Sequence, residues 1–384
     1  MTYGDDFDRV KGITAAQKEE DFGTVEPVVE EKQDMIDFEL LEDDKAAQHI
    51  DHDIEEIVEA SAALEGYIQV MKQNPYDGIS KQTAQAMLVG LTRIDKLVGQ
   101  KSELVAALEA EAFDNPRIGQ EKSSVDKEGL ADRAKQLWVK FKELILQAVA
   151  KAKALWQKIT DENKQTAEKA EDLKDNARQN HSGPNGPKGG RKVTLSPQLA
   201  FFAAREGKQL TTATYQPLAT FVFDKMAAHV QAGIDALTKG IIDADLEAVK
   251  AAGQGETPEF EGELDNINIT GLAEGGWSVE IGEPQGEETV QVRDLSTFIK
   301  TMGEINSFGN YLAQNSSKVF KLAEQLNAML SEAGKQADAV DAEVLHAVLN
   351  TVTKLKTQQE TVMKAYGFVS RANTSLLSAA GKEM

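Results

Sequence analysis

The chain contains no cysteine, which removes disulfide frameworks, thiolate zinc sites and cysteine nucleophiles from consideration. Proline is scarce, at nine positions in 384 residues, and aromatic residues make up only 6%. That balance favours a helical core built from Ala, Leu and Val over a β-sandwich or barrel. No run approaches the roughly 18–20 apolar residues of a membrane span. Met1 to Glu20 has no basic start followed by an apolar stretch, so no secretory signal is expected there. The expected compartment is the cytoplasm, or the interior of something assembled in it.

Positive charge is also in deficit: 42 Lys and Arg face 63 Asp and Glu, a net of −21. This argues against wrapping nucleic acid with the whole surface, because phosphate contacts need Lys and Arg. The deficit is uneven. Residues 1–111 hold 26 acids and 10 bases, net −16. Residues 112–200 hold 12 acids and 17 bases, net +5. Residues 201–384 hold 25 acids and 15 bases, net −10. Such polarity fits a tail or detachable region, or a region that only confers solubility.

Several segments can be read along the chain. Residues 1–34 are acidic and without period, and are expected to be disordered. From Met35 to Met71, apolar residues recur at spacings of three and four, which predicts an amphipathic helix. Asn74-Pro75-Tyr76-Asp77-Gly78 predicts a turn, and Ser80 then opens a second helix through Leu91, Ile94 and Leu104. Residues 35–114 therefore read as a helical hairpin. Residues 115–180 carry a long basic amphipathic helix, from about Asp126 to about Asn176, whose stripe fades after Thr160 into a solvated segment. The Gly- and Pro-rich stretch 181–192 reads as a linker and a domain boundary.

The remainder, 193–384, reads as an α+β domain. A short helix is expected from Ser196-Pro197, closed at Gly207, then helices over Tyr215–Leu237 and Asp243–Ala252. Between Phe260 and Val292 the period becomes two, which predicts a small antiparallel sheet of at most three or four strands. Two long helices follow, from Asp294 and from Asp338, with Asp294 and Ser296 as candidate caps of the first. The fold class is mainly α: hairpin, long helix, then an α+β half with a small sheet and two long helices.

Chemical motifs are weak. His49-Ile50-Asp51-His52-Asp53 looks like a metal cluster, but acids occupy nearly every polar position around it. Gly183 to Lys192 is Gly-rich, yet lacks the strand before and the Gly-Lys-Ser/Thr entry into a helix that a phosphate loop requires. No catalytic, cofactor-binding or metal-binding set is expected. The basic helix is the most loaded feature. Arg133, Lys135, Lys140, Lys142, Lys151, Lys153 and Lys158 share its polar side, while Trp138, Phe141 and Trp156 lie on its apolar side. Three readings compete: a solvated face on a bundle, a DNA or RNA contact, and a membrane-surface helix.

Two groups of segments carry a family resemblance. One is Met35-Ile36-Asp37-Phe38-Glu39 through Gly78-Ile79-Ser80-Lys81-Gln82-Thr83-Ala84 to Gly90-Leu91-Thr92-Arg93-Ile94-Asp95. The other is the Trp/Phe/Lys helix from Ala134-Lys135-Gln136-Leu137-Trp138 to Ala154-Leu155-Trp156. Their order resembles the internal head proteins of large tailed myophages, T-even-like and jumbo phages among them. The Pro197–Gly207 stretch and the Gly276-containing sheet before two helices are similar in layout. The resemblance covers about 35–380 and rests on segment order and composition.

The resemblance implies a non-enzymatic virion protein, made in the host cytoplasm and packaged inside the capsid with the genome. Its implied partners are other capsid or core proteins, a prohead protease and the packaged DNA; a membrane and a cofactor are not expected. Proteins of that kind are often trimmed after a short motif ending in Glu. Ala63-Leu64-Glu65 and Ala107-Leu108-Glu109-Ala110-Glu111 are similar, which makes Glu65, Glu109 and Glu111 candidate cleavage sites. Cleavage after Glu109 or Glu111 would discard nearly all of the −16 region. The alternative is a cytoplasmic helical binding or adaptor protein without enzymatic activity.

Overall fold

A computed structural model describes residues 52–64, 66, 67, 69, 70, 81–98, 105, 123–179, 187, 189–336 and 342–384. The described residues within 52–70 are helical and form α1. α2 is Lys81–Val98. Arg93 of α2 reaches Glu56 and Glu59 of α1, at 3.3 and 3.1 Å, while Tyr67 lies against Gly90. Moving up α1 thus moves down α2, as in the expected antiparallel hairpin. Its inner face is Ile54, Ile57, Leu64, Met87, Leu91 and Ile94, each at most 2% exposed.

α3 spans Ser123–Gln179, 57 residues or about 85 Å. It lies along two helices of the C-terminal half, α8 (Leu295–Gln336) and α9 (Ala342–Gly381). Trp156 Nε1 donates to the Ser316 carbonyl, and Asn306 donates to that of Ala167, so α3 and α8 run antiparallel. Asn163 meets Tyr366 and Thr166 meets Thr374, so α3 and α9 run parallel. The unit that holds all described residues spans 49–384 and includes both sides of the Gly/Pro stretch.

Beyond Thr160, α3 differs from the expected solvated segment. Thr160, Asn163, Thr166, Ala167, Ala170 and Ala177 are all buried. The interface is built from small and hydrogen-bonding side chains, to which an apolar stripe is blind. Gly309 of α8 shows how close the helices come: a Cβ there would sit 2.9 Å from the Asn163 carbonyl oxygen.

The mixed region lies between α3 and α8. β1 (Lys192–Leu195) leads to α4 (Pro197–Ala203). Gly207 does not close that helix. It turns a short hairpin of β2 (Ala204–Arg205) and β3 (Lys208–Gln209), its φ of 72° being readily available to glycine. α5 (Thr212–Phe221) passes through a π-helical turn at Val222–Met226 into α6 (Ala227–Ile242), and α7 (Leu246–Ala251) follows, capped by Asp245. β4 (Ile267–Gly271) pairs antiparallel with β5 (Trp277–Ile281), and Gly275 and Gly276 make the turn at φ 91° and 85°. β6 (Glu288–Gln291) joins β1, with Val193 opposite Val290. The architecture is mainly α, with small antiparallel pairings in the C-terminal half. In place of one sheet of three or four strands there are two-stranded pairs, because β6 takes the distant β1 as its partner.

Candidate functional site

The long helix presents the chain's main concentration of positive charge. Lys135, Lys140, Lys151, Lys153 and Lys158 are exposed, and Lys142 is half-buried. Arg133 stands apart from them. It is 5% exposed, its Nε lies 3.2 Å from Asp95 Oδ1 of α2, and it donates to Gln136. The predicted seven-residue basic face is therefore six lysines plus one arginine bound to the hairpin. The only sequence signal for Asp95 is an acid four residues after Leu91, on the apolar stripe of α2.

The lysines fall on the two borders of the exposed side of α3. On the border toward α8, Lys153 lies 4.0 Å from Glu324 and over the Phe320 ring, 4.9 Å from its centre. Toward α9, Lys158 acts on Glu162 together with Arg371 and Lys169. Burial nevertheless holds the Glu162 carboxyl above its ordinary range, against the pull of Arg371, Lys158, the Thr374 hydroxyl and Lys169.

The aromatic residues that would suit a membrane surface face the other way. Trp138 and Phe141 are 4% and 0% exposed, and Trp156 stacks on Phe320 at 4.4 Å. No described helix is long and apolar enough to cross a membrane.

The remaining motifs can be placed. His52 and Asp53 are exposed, and His49 and Asp51 lie outside the described residues. Among the described residues no group of three His, Asp or Glu is arranged for a metal ion. Gly189 and Gly190 form a turn into β1, a strand where a phosphate loop would need a helix. Glu65, Glu109 and Glu111 lie outside the described residues, as does the 1–34 segment.

One serine–histidine contact has no counterpart among the sequence motifs. Ser61 Oγ lies 2.8 Å from His346 Nδ1, and Asn350 lies 2.9 Å from His346 Nε2. Ser61 donates to the Val58 carbonyl at 2.7 Å, so Nδ1–H must donate to the serine oxygen and Nε2 accepts from Asn350. That arrangement cannot draw a proton from Ser61, which is 3% exposed. The contact ties α1 to α9 and is not a nucleophile–base pair.

A second polar anchor lies at the far end of α9. Glu383 is fully buried and pairs with Arg293, accepts from the Arg293 backbone N–H at 2.9 Å, and accepts from Gln209 at 2.8 Å. Burial raises the Glu383 carboxyl above its ordinary range and lowers Arg293, each against the attraction of the other.

Comparison with known proteins gives one family. The model of the phiKZ-like phage internal head proteins matches residues 31–382. No curated protein and no solved structure matches the chain.

Proposed function

Because this chain belongs to the phiKZ-like phage internal head proteins, matched over residues 31–382, we propose that it is a non-enzymatic structural protein of the virion interior, packaged with the genome and trimmed there. The family match carries this reading. The charge partition supports the finer part of it. Cleavage after Glu109 or Glu111 removes a region of net −16 or nearly so; residues 112–384 carry 32 bases and 37 acids, net −5. The acidic region keeps the precursor soluble and weakens its hold on the genome during assembly. Its loss makes residence beside dense DNA less costly. The exposed lysines of α3 then face phosphate, and other capsid or core proteins and a prohead protease are the protein partners.

Mass spectrometry of protein from purified, DNA-filled heads tests this. The expected result is the chain inside the head, protected from added protease, beginning near residue 110 or 112. Its absence from the head, or an intact Met1–Glu111 region in mature particles, overturns the corresponding part. The membrane reading loses support because Trp138, Phe141 and Trp156 are committed to packing within the protein.

A further inference from the structure

The cations of α3 follow a regular spacing. Arg133, Lys140, Lys151, Lys158 and Lys169 succeed one another at intervals of 7, 11, 7 and 11 residues. Seven and eleven residues are close to two and three turns of an α-helix, so the five fall on one line, about 54 Å long. The four lysines of this line are exposed. Glu162, the half-buried acid beside them, is acted on by three cations, Arg371, Lys158 and Lys169. On the other lysine border, Lys153 lies near Glu324 and Lys164 is bonded to Asp161 at 3.4 Å. The first member of the line, Arg133, is buried, and its guanidinium lies 3.2 Å from the buried Asp95 carboxylate of the hairpin.

We propose that Arg133, Lys140, Lys151, Lys158 and Lys169 form one row of contacts to the phosphates of duplex DNA, and that Asp95 withholds Arg133 from it. This rests on the reading that the protein resides beside the genome. A straight row of point charges recognises backbone and not sequence, which suits DNA of any composition. Arg133 is the strongest single member, because a guanidinium can hold phosphate through two parallel hydrogen bonds. Removing the hairpin thus takes away repulsive charge and supplies one more cation to the row.

The test uses the intact chain and a random-sequence duplex of about 30 base pairs, with affinity followed by fluorescence anisotropy across a salt series. Each phosphate that a side chain neutralises contributes about 0.9 to the slope of log affinity against log salt. Lys140→Gln and Lys151→Gln should each lower the slope by about one. Arg133→Gln should leave it unchanged, and Asp95→Asn should raise it by about one. The double variant Asp95→Asn/Arg133→Gln should return to the parent value.

Affinity indifferent to Lys140 and Lys151 overturns the row. Arg133→Gln matching Lys140→Gln overturns the withholding, as does Asp95→Asn with its helix content intact and its slope unmoved. Should Asp95→Asn fail to fold, the Arg133→Gln comparison with Lys140→Gln still decides. None of these outcomes depends on trimming, so an untrimmed virion protein and a failed slope pattern are distinguishable results.

Discussion

Asn163 is fully buried in the middle of the bundle, where its amide donates to the Tyr366 hydroxyl at 3.1 Å and its carbonyl oxygen accepts from Ser370 at 3.0 Å. A buried hydrogen bond adds little net, but an orphaned buried group costs about 1–3 kcal/mol. Asn163→Ala should therefore lower unfolding free energy by about 2–3 kcal/mol in urea denaturation, and a loss below about 0.5 kcal/mol would sink the idea. Glu383 is the sharper case. It and Arg293 are 1% and 8% exposed, and burial shifts both toward their neutral forms, so the pair gains little from its own attraction. Removing one partner strands the other: Glu383→Ala should cost about 3–5 kcal/mol, whereas replacing both with apolar residues of similar size should cost less. His229 supplies a pH dependence. It lies against Trp277, its Nε2 has no hydrogen-bond partner among the described residues, and burial lowers its pKa. The unfolded chain binds that proton more readily, so its contribution to stability is present above about pH 6.5 and is lost as pH falls toward the folded value. His229→Gln should flatten the fall in melting temperature between about pH 7 and 5; an unchanged profile would show that the group does not matter.

Among the elements, those with a strong apolar period are legible in the sequence and those built on small or polar contacts are not. The hairpin residues Ile54, Leu64, Leu91 and Ile94 and the first half of α3, through Leu137, Phe141 and Ile145, are buried as their spacing implies. The second half of α3 escapes that signal because Asn163, Thr166 and Ala170 reach the core through hydrogen bonds and close approach, which hydropathy does not register. β1 escapes it because four residues carry almost no period and the partner strand lies about a hundred positions away. The candidate site is half legible: the lysines announce themselves, but Arg133 looks like one of them until Asp95 is seen beside it. The expected cap at Asp294 is present, its carboxylate accepting from the Thr297 N–H at 2.8 Å and hydroxyl at 3.1 Å. Those bonds lower its pKa, so the cap's contribution is present above the ordinary aspartate range and lost only as pH falls through the lower folded value. Asp294→Ala should speed hydrogen exchange at the first turn of α8. The parent should keep that protection as pH falls past about 3.9, and equal exchange in both proteins would dismiss the cap.

For the whole molecule, the decisive quantity is where the charge goes, and not its total. At net −21 the whole chain would be held by DNA more weakly than 112–384, which at −5 would keep the basic helix without the acidic region. Charge acts over a screening length of about 10 Å, so under the proposed packaging a region of net −16 would oppose any duplex lying beside it. A chain that cannot be trimmed should then compete with DNA for the interior. Replacing Glu65, Glu109 and Glu111 together by Gln changes the charge by only three, leaving most of the acidic excess attached. In phage carrying that triple variant, heads should contain the full-length chain and a lower ratio of DNA-filled to empty particles by sedimentation. Restoring Glu109 and Glu111 alone should recover both trimming and filling. Normal filling with the untrimmed chain retained would mean that the acidic region is tolerated beside the genome, and would overturn the proposed charge rationale for trimming.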